Sequence, residues 1–228
     1  MKPVTIAIDG PAASGKSTIA KRLADQIGYL YFDTGVLYRA VTWVALQRGV
    51  NLENGDLISS IAETIKIDVL PASQDDGRDS DILADGEDIT WKIRQPDVDA
   101  NVSVVAANPG VRAALTVQQR RIGQRGHVVM VGRDIGTVVL PDADLKVYLD
   151  APVEERARRR YNESLARGDT GSFESVLEMM KKRDQIDSTR DVAPLCAAED
   201  AIVIDSDHLN IDQVLEKTKA IFDEWSPN

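Results

Sequence analysis

The chain has little from which to build covalent or metal cross-links. Its 228 residues include one cysteine and two histidines. A single thiol closes no intrachain disulfide and assembles no cysteine metal cluster, so redox chemistry is not expected, and Cys196 reads as a small buried hydrophobe. His127 and His208 lack metal-ligand spacing and read as structural or surface residues. Long apolar runs are missing too. Asp9 interrupts the one apolar stretch near the start, so neither a signal peptide nor a membrane-spanning segment is expected, and the default compartment is the cytoplasm. Positive charge is the scarcer sign, with 27 Lys and Arg against 37 Asp and Glu and a formal net charge of −10. That balance disfavours a broad nucleic-acid footprint, because duplex binding needs a basic surface that displaces counterions. Any anionic ligand must instead meet a local concentration of cations. Internal repeats and low-complexity tracts are absent. A chain of this length builds one substantial core with appendages rather than two full domains.

What is present begins at Gly10-Pro11-Ala12-Ala13-Ser14-Gly15-Lys16-Ser17, followed by Thr18. The string fits Gly-x-x-x-x-Gly-Lys-[Ser/Thr], and its flanks fit the mechanics of that motif. Thr5 to Asp9 is a β-prone run, and Ile19, Ala20, Leu23, Ala24 and Ile27 follow at helical spacing, so the loop joins a strand to a helix. Gly10 and Gly15 let backbone N–H groups turn inward, and the helix N-terminus adds partial positive charge. Lys16 reaches β- and γ-phosphates, and Ser17 can hold Mg²⁺. A glycine-rich turn opening an ordinary helix would not need all of these parts together.

Downstream, Tyr29 to Asp33 reads as a second strand, Val36 to Arg48 as a helix and Leu57 to Ile65 as another. Lys66 to Leu70, Ile82 to Ala84 and Glu87 to Thr90 read as small antiparallel strands, with a polar loop at Gln74-Asp75-Asp76-Gly77, forming an insert on a parallel core. Two helices follow, one from Asp97 through Ala106 and one opened by Pro109; they carry Ser103 and Arg112. His127 to Val131 is an apolar strand, Leu145 to Asp150 the next, and Ala201 to Asp205 a last buried one. Between the latter two, Pro152 opens a charged helix, and the glycine-marked stretch from Gly168 to Gly171 separates it from a helix over Phe173 to Asp187, as a mobile lid requires. Asn210 and Gln213 form a capping pair before the terminal helix.

Several arginines stand where chemistry is plausible. Arg39 follows the second strand and offers a planar fork for a phosphate or carboxylate, or else is a surface arginine. Arg133 and Asp134 lie outside the carboxyl edge of a strand, where open α/β sheets bind ligands, unless they form a local ion pair capping the turn. On the charged helix, Glu154 can pair with Arg158 and Glu155 with Arg159, whereas Arg156 and Arg160 have no acid four residues N-terminal to them. Those two could clamp a phosphoryl group, or the helix is a solvated face. Arg183, Asp184, Asp187 and Arg190 form a further cluster. An ATP cradle, spare arginines and no Ser/His/Asp or Cys/His set fit phosphoryl transfer, which needs positioning and charge neutralisation more than a protein nucleophile. More arginines than ATP requires suggest that the acceptor is itself a phosphate.

These residues resemble the bacterial cytidylate kinases. The likeness is carried by Asp9-Gly10-Pro11 running into the loop, Asp33-Thr34-Gly35 with Tyr38-Arg39, and Val111-Arg112. It continues in Gly132-Arg133-Asp134-Ile135-Gly136-Thr137, Glu155-Arg156-Ala157 and Arg183-Asp184 to Val192-Ala193-Pro194-Leu195. It extends over nearly the whole chain. The phosphate loop is shared by very many proteins, but the Gly-Arg-Asp-Ile-Gly-Thr string together with the insert is specific to this family. The resemblance implies an α/β, P-loop NTPase-type three-layer fold with a central parallel five-stranded sheet, a small antiparallel insert and a helical lid. It implies a single kinase domain over 1–228, with core segments 1–34, 126–151 and 195–228, a monophosphate-binding region 35–125, and a lid with its following helix at 152–194.

The implied reaction moves the γ-phosphoryl of ATP to CMP, and to dCMP, with Mg²⁺, in a monomer that binds neither nucleic acid nor membrane. Carried over by motif, Gly10, Pro11, Ala12, Ala13, Ser14, Gly15, Lys16, Ser17 and Thr18 hold ATP, and Ser17 the metal. Arg39, Arg133 and Arg190 hold the CMP phosphate; Ser103, Arg112 and Asp134 address cytosine; Thr34 helps to place the acceptor. Arg183 and Asp187 contact the pentose, while Arg156 and Arg160 fall in the lid. Lys16, Arg133, Arg156, Arg160 and Arg190 are the implied catalytic set. An aspartate accepts from the cytosine 4-amino group, where uracil would present an oxygen, so CMP is expected over UMP. The alternatives are a P-loop kinase for UMP or another small molecule, and a GTP-binding switch, for which the guanine reader Asn-Lys-x-Asp is missing. Two positions depart from the family pattern. Ala13 stands where glycine is frequent, which suggests that no positive φ is needed there. Val131 stands where related kinases carry an acid that holds waters on Mg²⁺, which leaves Asp9 or ordered water as the substitute.

Overall fold

Ile6-Ala7-Ile8 and Val128-Val129-Met130-Val131 are apolar without alternation, the pattern of strands covered on both faces. A computed structural model of the chain describes residues 5–166, 168 and 170–225, and in it Ile6 to Ile8 and Val128 to Val131 lie in strands with at most 1% exposure. In chain order the elements are β1 (Thr5–Asp9), α1 (Lys16–Ile27), β2 (Leu30–Asp33), α2 (Gly35–Gln47), α3 (Gly55–Thr64), β3 (Ile67–Pro71), β4 (Ser80–Ala84) and β5 (Glu87–Asp88). They continue with α4 (Pro96–Ala107), α5 (Pro109–Gly123), β6 (Val128–Gly132), β7 (Leu145–Asp150), α6 (Val153–Ala166), α7 (Phe173–Thr189), β8 (Ile202–Asp205) and α8 (Ile211–Glu224). They form two compact units, Met1–Asp33 with Arg120–Asn228 and Thr34–Gln119, and the division falls within α5.

The first unit holds a parallel five-stranded sheet in the order β2-β6-β1-β7-β8. On one face Ile6 and Ile8 of β1 and Val129 and Val131 of β6 pack with Ile19 and Leu23 of α1 and Val214 and Leu215 of α8. Burial of each such aliphatic side chain contributes about 1.5–3 kcal/mol, so this layer fixes the sheet on which the loops are mounted. Both helices end as their sequences dictate. α1 stops at Gly28 with φ +71°, and α8 starts in a capping box between Asn210 and Gln213. Asp9 is the Cα partner of Gly132 on one side and of Tyr148 on the other, so the segments after β1 and β6 leave the sheet at one edge.

Two expectations about burial fail in this unit, for one reason each. β8 is not a buried strand: it pairs only with β7, and Ile202 and Val203 are 44% and 59% exposed, as an edge position allows. Cys196 is exposed rather than a core hydrophobe, because the segment from Asp191 to Ala201 crosses the surface without regular structure.

The second unit combines α2, α3 and α4 with an antiparallel sheet in the order β3-β4-β5. The loop read as merely polar is built around Arg78, which donates to Asp76, Asp81 and Asp88, while the Trp91 indole N–H donates to Asp76 Oδ2 at 2.8 Å. The carboxyl of Asp88 is held down to about 2, by the Thr90 hydroxyl first, then the Thr90 amide and Arg78. Glu87 to Thr90 makes a shorter strand than its sequence suggests, since Thr90 turns its hydroxyl to accept the Ile82 N–H at 2.9 Å.

Candidate active site

β1 delivers the chain to Gly10, whose φ is +147° and whose missing Cβ would stand 2.1 Å from the Leu149 carbonyl oxygen. No side chain fits there. Ala13 adopts φ +57°, so the expectation that alanine signals an ordinary backbone at this position is corrected. The left-handed region costs a non-glycine residue about 1–2 kcal/mol, which the surrounding loop must offset. Gly15, at φ +96°, then turns directly into the N-terminus of α1, where unpaired N–H groups and the helix dipole favour an anion.

Lys16 is the first residue of that helix and is 6% exposed. Its ammonium donates to the Pro11 carbonyl and, at 3.3 Å, to Ser14 Oγ. Burial pushes the Lys16 pKa well below the usual lysine range; Arg133 and Arg183 push the same way, against Asp33 and Asp9. Ser17, exposed one residue on, donates its hydroxyl to Asp33 Oδ2 at the end of β2, at 3.0 Å.

Asp9, only 5% exposed, accepts the Ile135 N–H on Oδ1 at 2.8 Å and the Gly136 N–H on Oδ2 at 2.7 Å. Burial raises its pKa to about 6 and Asp134 adds to the rise, while the two N–H groups and Lys16 oppose it. The segment it holds is a π-helical turn, Ile135–Val139, with the Val139 and Leu140 N–H groups reaching back five residues to the carbonyls of Asp134 and Ile135. Such turns recur at functional sites. Thus the carboxylate suggested as a substitute metal holder already has each oxygen engaged by backbone.

Arg133 and Asp134 do not simply pair with each other. Arg133 Nε donates to Asp187 Oδ2 of α7 at 2.8 Å, and Asp134 Oδ1 lies 3.9 Å from Arg190 at the end of α7. Arg183 and Arg190 stand 4.0 Å from the same Asp187 carboxylate. Burial alone would raise the Asp187 pKa, but Arg133, Arg183 and Arg190 outweigh it and hold the group below the usual carboxylate range. With Lys16 alongside, cations are concentrated here within a chain of net charge −10.

Arg156 is 4% exposed and has four bonds: Nε to Ala151 O at 2.8 Å, both terminal nitrogens to Asp184 at 3.2 and 2.5 Å, and one of them to Ala12 O at 3.2 Å. Its acid comes from α7, which local spacing on α6 does not show. On α6 the expected pair of Glu155 with Arg159 forms, at 3.1 Å, and Arg158, expected opposite Glu154, also faces Glu155, at 3.7 Å. Arg160 meets Glu163 at 3.4 Å. Between α6 and α7, Gly168 has φ +88°, and Arg167 and Asp169 of the lid stretch lie outside the described residues.

The sequence model of the cytidylate kinases matches residues 6–224. The cytidylate kinase of Herpetosiphon aurantiacus is 54% identical over 214 residues, covering 94% of this chain and 92% of that protein. The chain belongs to the cytidylate kinase family. The cytidylate kinase of Anoxybacillus flavithermus is 49% identical over 223 residues, 98% of this chain and 97% of that one. A solved structure of an uncharacterized protein from Eubacterium ventriosum shares the fold, with a TM-score of 0.51 and 14% identity over 97% of this chain and 99% of that one.

The remaining residues that the likeness to cytidylate kinases singles out lie in the Thr34–Gln119 unit. Thr34, 3% exposed, precedes α2 as its N-cap. Arg39 is no loose surface arginine: it donates to Asp99 Oδ1 at 2.5 Å and to Ile93 O at 3.0 Å. Arg112 is 3% exposed, stacks over the Tyr38 ring at 5.4 Å and donates to Ala106 O at 3.1 Å. Ser103 is 5% exposed, and its hydroxyl has no hydrogen-bond partner among the described residues. Among those residues no helix is long and apolar enough to cross a membrane, and no group of three His, Cys, Asp or Glu is arranged to hold a metal. Sequence reasoning missed the pairing of Asp184 with Arg156, the role of Asp99 and the double engagement of Asp9. Only the last had a signal, an acid closing an otherwise apolar strand.

Proposed function

We propose that the protein transfers the γ-phosphoryl group of ATP to CMP, and to dCMP, giving ADP and CDP or dCDP. The observation that carries this reading is the gathering of Arg133, Arg183 and Arg190 around the Asp187 carboxylate, with buried Lys16 of the phosphate loop within electrostatic reach of Arg133 and Arg183, in a family of cytidylate kinases. Like charges held together in a buried place favour a polyanion, which restores the proton affinity of the lysine and replaces its bonds to Pro11 and Ser14.

In this reading residues 10–18 cradle the phosphates of ATP, with Lys16 on the β- and γ-groups. An oxygen of the CMP phosphate attacks the γ-phosphorus. The new P–O bond forms as the bond from that phosphorus to the β,γ-bridging oxygen breaks, and ADP leaves. Arg39, Arg133 and Arg190 hold the acceptor phosphate, Arg183 and Asp187 its pentose, and Thr34 its approach. Arg160 brings charge to the transferring group. Arg156, tied to Ala12 and Asp184, supports the loop from a fixed position. Cytosine is read by Asp134, accepting from its 4-amino group, by Arg112, donating to N3 or O2, and by the Ser103 hydroxyl. The exposed oxygens of Ser17 and Asp33, 3.0 Å apart, suit a hard cation that otherwise keeps water and phosphate ligands, so Mg²⁺ fits here. When bound it neutralises phosphate charge. The protein acts as a monomer in the cytoplasm.

Phosphorus NMR of the protein with Mg²⁺, ATP and CMP tests the proposal. The expected result is stoichiometric growth of ADP and CDP resonances, abolished in Lys16→Met. Release of inorganic phosphate without CDP would overturn it.

A further inference from the structure

Asp9 is the last residue of β1, one position before the phosphate loop, yet both its oxygens accept backbone N–H groups 126 and 127 residues away. These donors, Ile135 and Gly136, immediately follow Arg133 and Asp134. The ladder between β1 and β6 ends at the pair Asp9 and Gly132, so beyond it the carboxylate takes over the joining of the two segments. Approach is close: a Cβ on Gly136 would stand 3.4 Å from Asp9 Oδ2 and 3.1 Å from Lys146 Cδ. Only a carboxylate presents an acceptor on each of two oxygens and a donor on neither. An amide of the same shape would turn an NH₂ against one N–H.

We propose that Asp9 is a positioning residue that clamps the turn carrying Arg133 and Asp134 to the strand that delivers the phosphate loop, keeping the acceptor-binding side chains in register with the donor site. The clamp rests on the assignment of Arg133 and Asp134 to the acceptor. It also carries a pH dependence. Lys16 on α1, Asp134 on the turn and Tyr148 on β7 are the titratable groups that act on Asp9, and Lys146 lies against Gly136. Burial and Asp134 set the Asp9 pKa at about 6, so acidification below that value converts one acceptor oxygen into a hydroxyl and loosens one of the two bonds.

The test compares Asp9→Asn with the unaltered protein in steady-state kinetics, with Asp134→Ala beside them. The clamp predicts a KM for CMP raised about tenfold or more in Asp9→Asn, from loss of one charge-assisted bond, and an unchanged KM for ATP although Asp9 adjoins the ATP loop. Equal rises in both KM values, or a fall in kcat alone, would mean general damage to the fold and overturn it. If Asp134→Ala raises the KM for CMP and Asp9→Asn does not, the acceptor assignment survives and the clamp falls. If Asp134→Ala leaves that KM unchanged, both fall. Should Asp9→Asn fail to fold, NMR of the unaltered protein decides: the clamp requires the Ile135 and Gly136 amide protons to shift together with the titration of the Asp9 carboxyl, and amide shifts that stay flat while that carboxyl titrates would overturn it.

Discussion

Asp184 of α7 receives both terminal nitrogens of Arg156, at 3.2 and 2.5 Å, and the same guanidinium reaches the Ala12 carbonyl of the phosphate loop at 3.2 Å. Arg156, which the likeness to cytidylate kinases puts in the lid, is thus bonded to the phosphate loop and to α7 at once. Asp184→Ala leaves a buried arginine with backbone partners only. Breaking a buried pair costs about 3–5 kcal/mol; with Asp184 itself 24% exposed, a loss of about 2–4 kcal/mol is expected. Urea unfolding of the variant measures it, and an unchanged midpoint would mean that the pair contributes nothing.

Arg160 shares the helix but not the burial. It is 23% exposed and touches Glu163 one turn away. Arg160→Ala should lower kcat by about 10²-fold or more, as expected when charge stabilisation in the transition state is removed, with little change in CMP affinity by calorimetry. Full turnover in that variant would identify this face of α6 as merely solvated.

Asp9 makes stability depend on pH in the direction opposite to a salt-bridged acid. Its folded pKa, about 6, lies above the ordinary aspartate value, so the folded state binds the proton more tightly. The stabilisation from that proton is complete below about pH 4 and lost as pH rises through 6, about 3 kcal/mol in all. The difference in unfolding free energy between the unaltered protein and Asp9→Asn should fall by that amount from pH 4 to 7. Chemical denaturation across this range checks it; a constant difference would place the Asp9 pKa near its ordinary value.

Asp134 sits 4% exposed with Arg190 at 3.9 Å. If it accepts from the cytosine amino group, Asp134→Asn should reduce kcat/KM for CMP and narrow the preference for CMP over UMP by about tenfold or more. A preference that survives the substitution would assign base recognition elsewhere, with Ser103 and Arg112 the first candidates.

Much of this was legible in the chain because the relevant signals are local. The phosphate loop, its flanking strand and helix, the antiparallel insert and the Asn210–Gln213 cap each follow from spacing within a few residues. Partners across long stretches of sequence were not legible. Arg156 finds Asp184, Arg39 finds Asp99 and Asp9 finds Gly136 only after the chain has folded. Ala13 misled for a different reason: alanine tolerates a left-handed φ when the loop imposes it, so glycine's absence does not report the backbone. β8 looked buried because Ile202 to Ile204 is apolar, and its edge position follows from strand order, which composition does not encode.

The most direct test is a coupled assay that scans nucleoside monophosphates with Mg-ATP, because it examines donor, acceptor and reaction together. CMP and dCMP should accelerate ATP consumption well above UMP, AMP and GMP. Equal stimulation by UMP, or no stimulation by any monophosphate, would contradict the assignment of this arginine-rich site to a cytidine nucleotide.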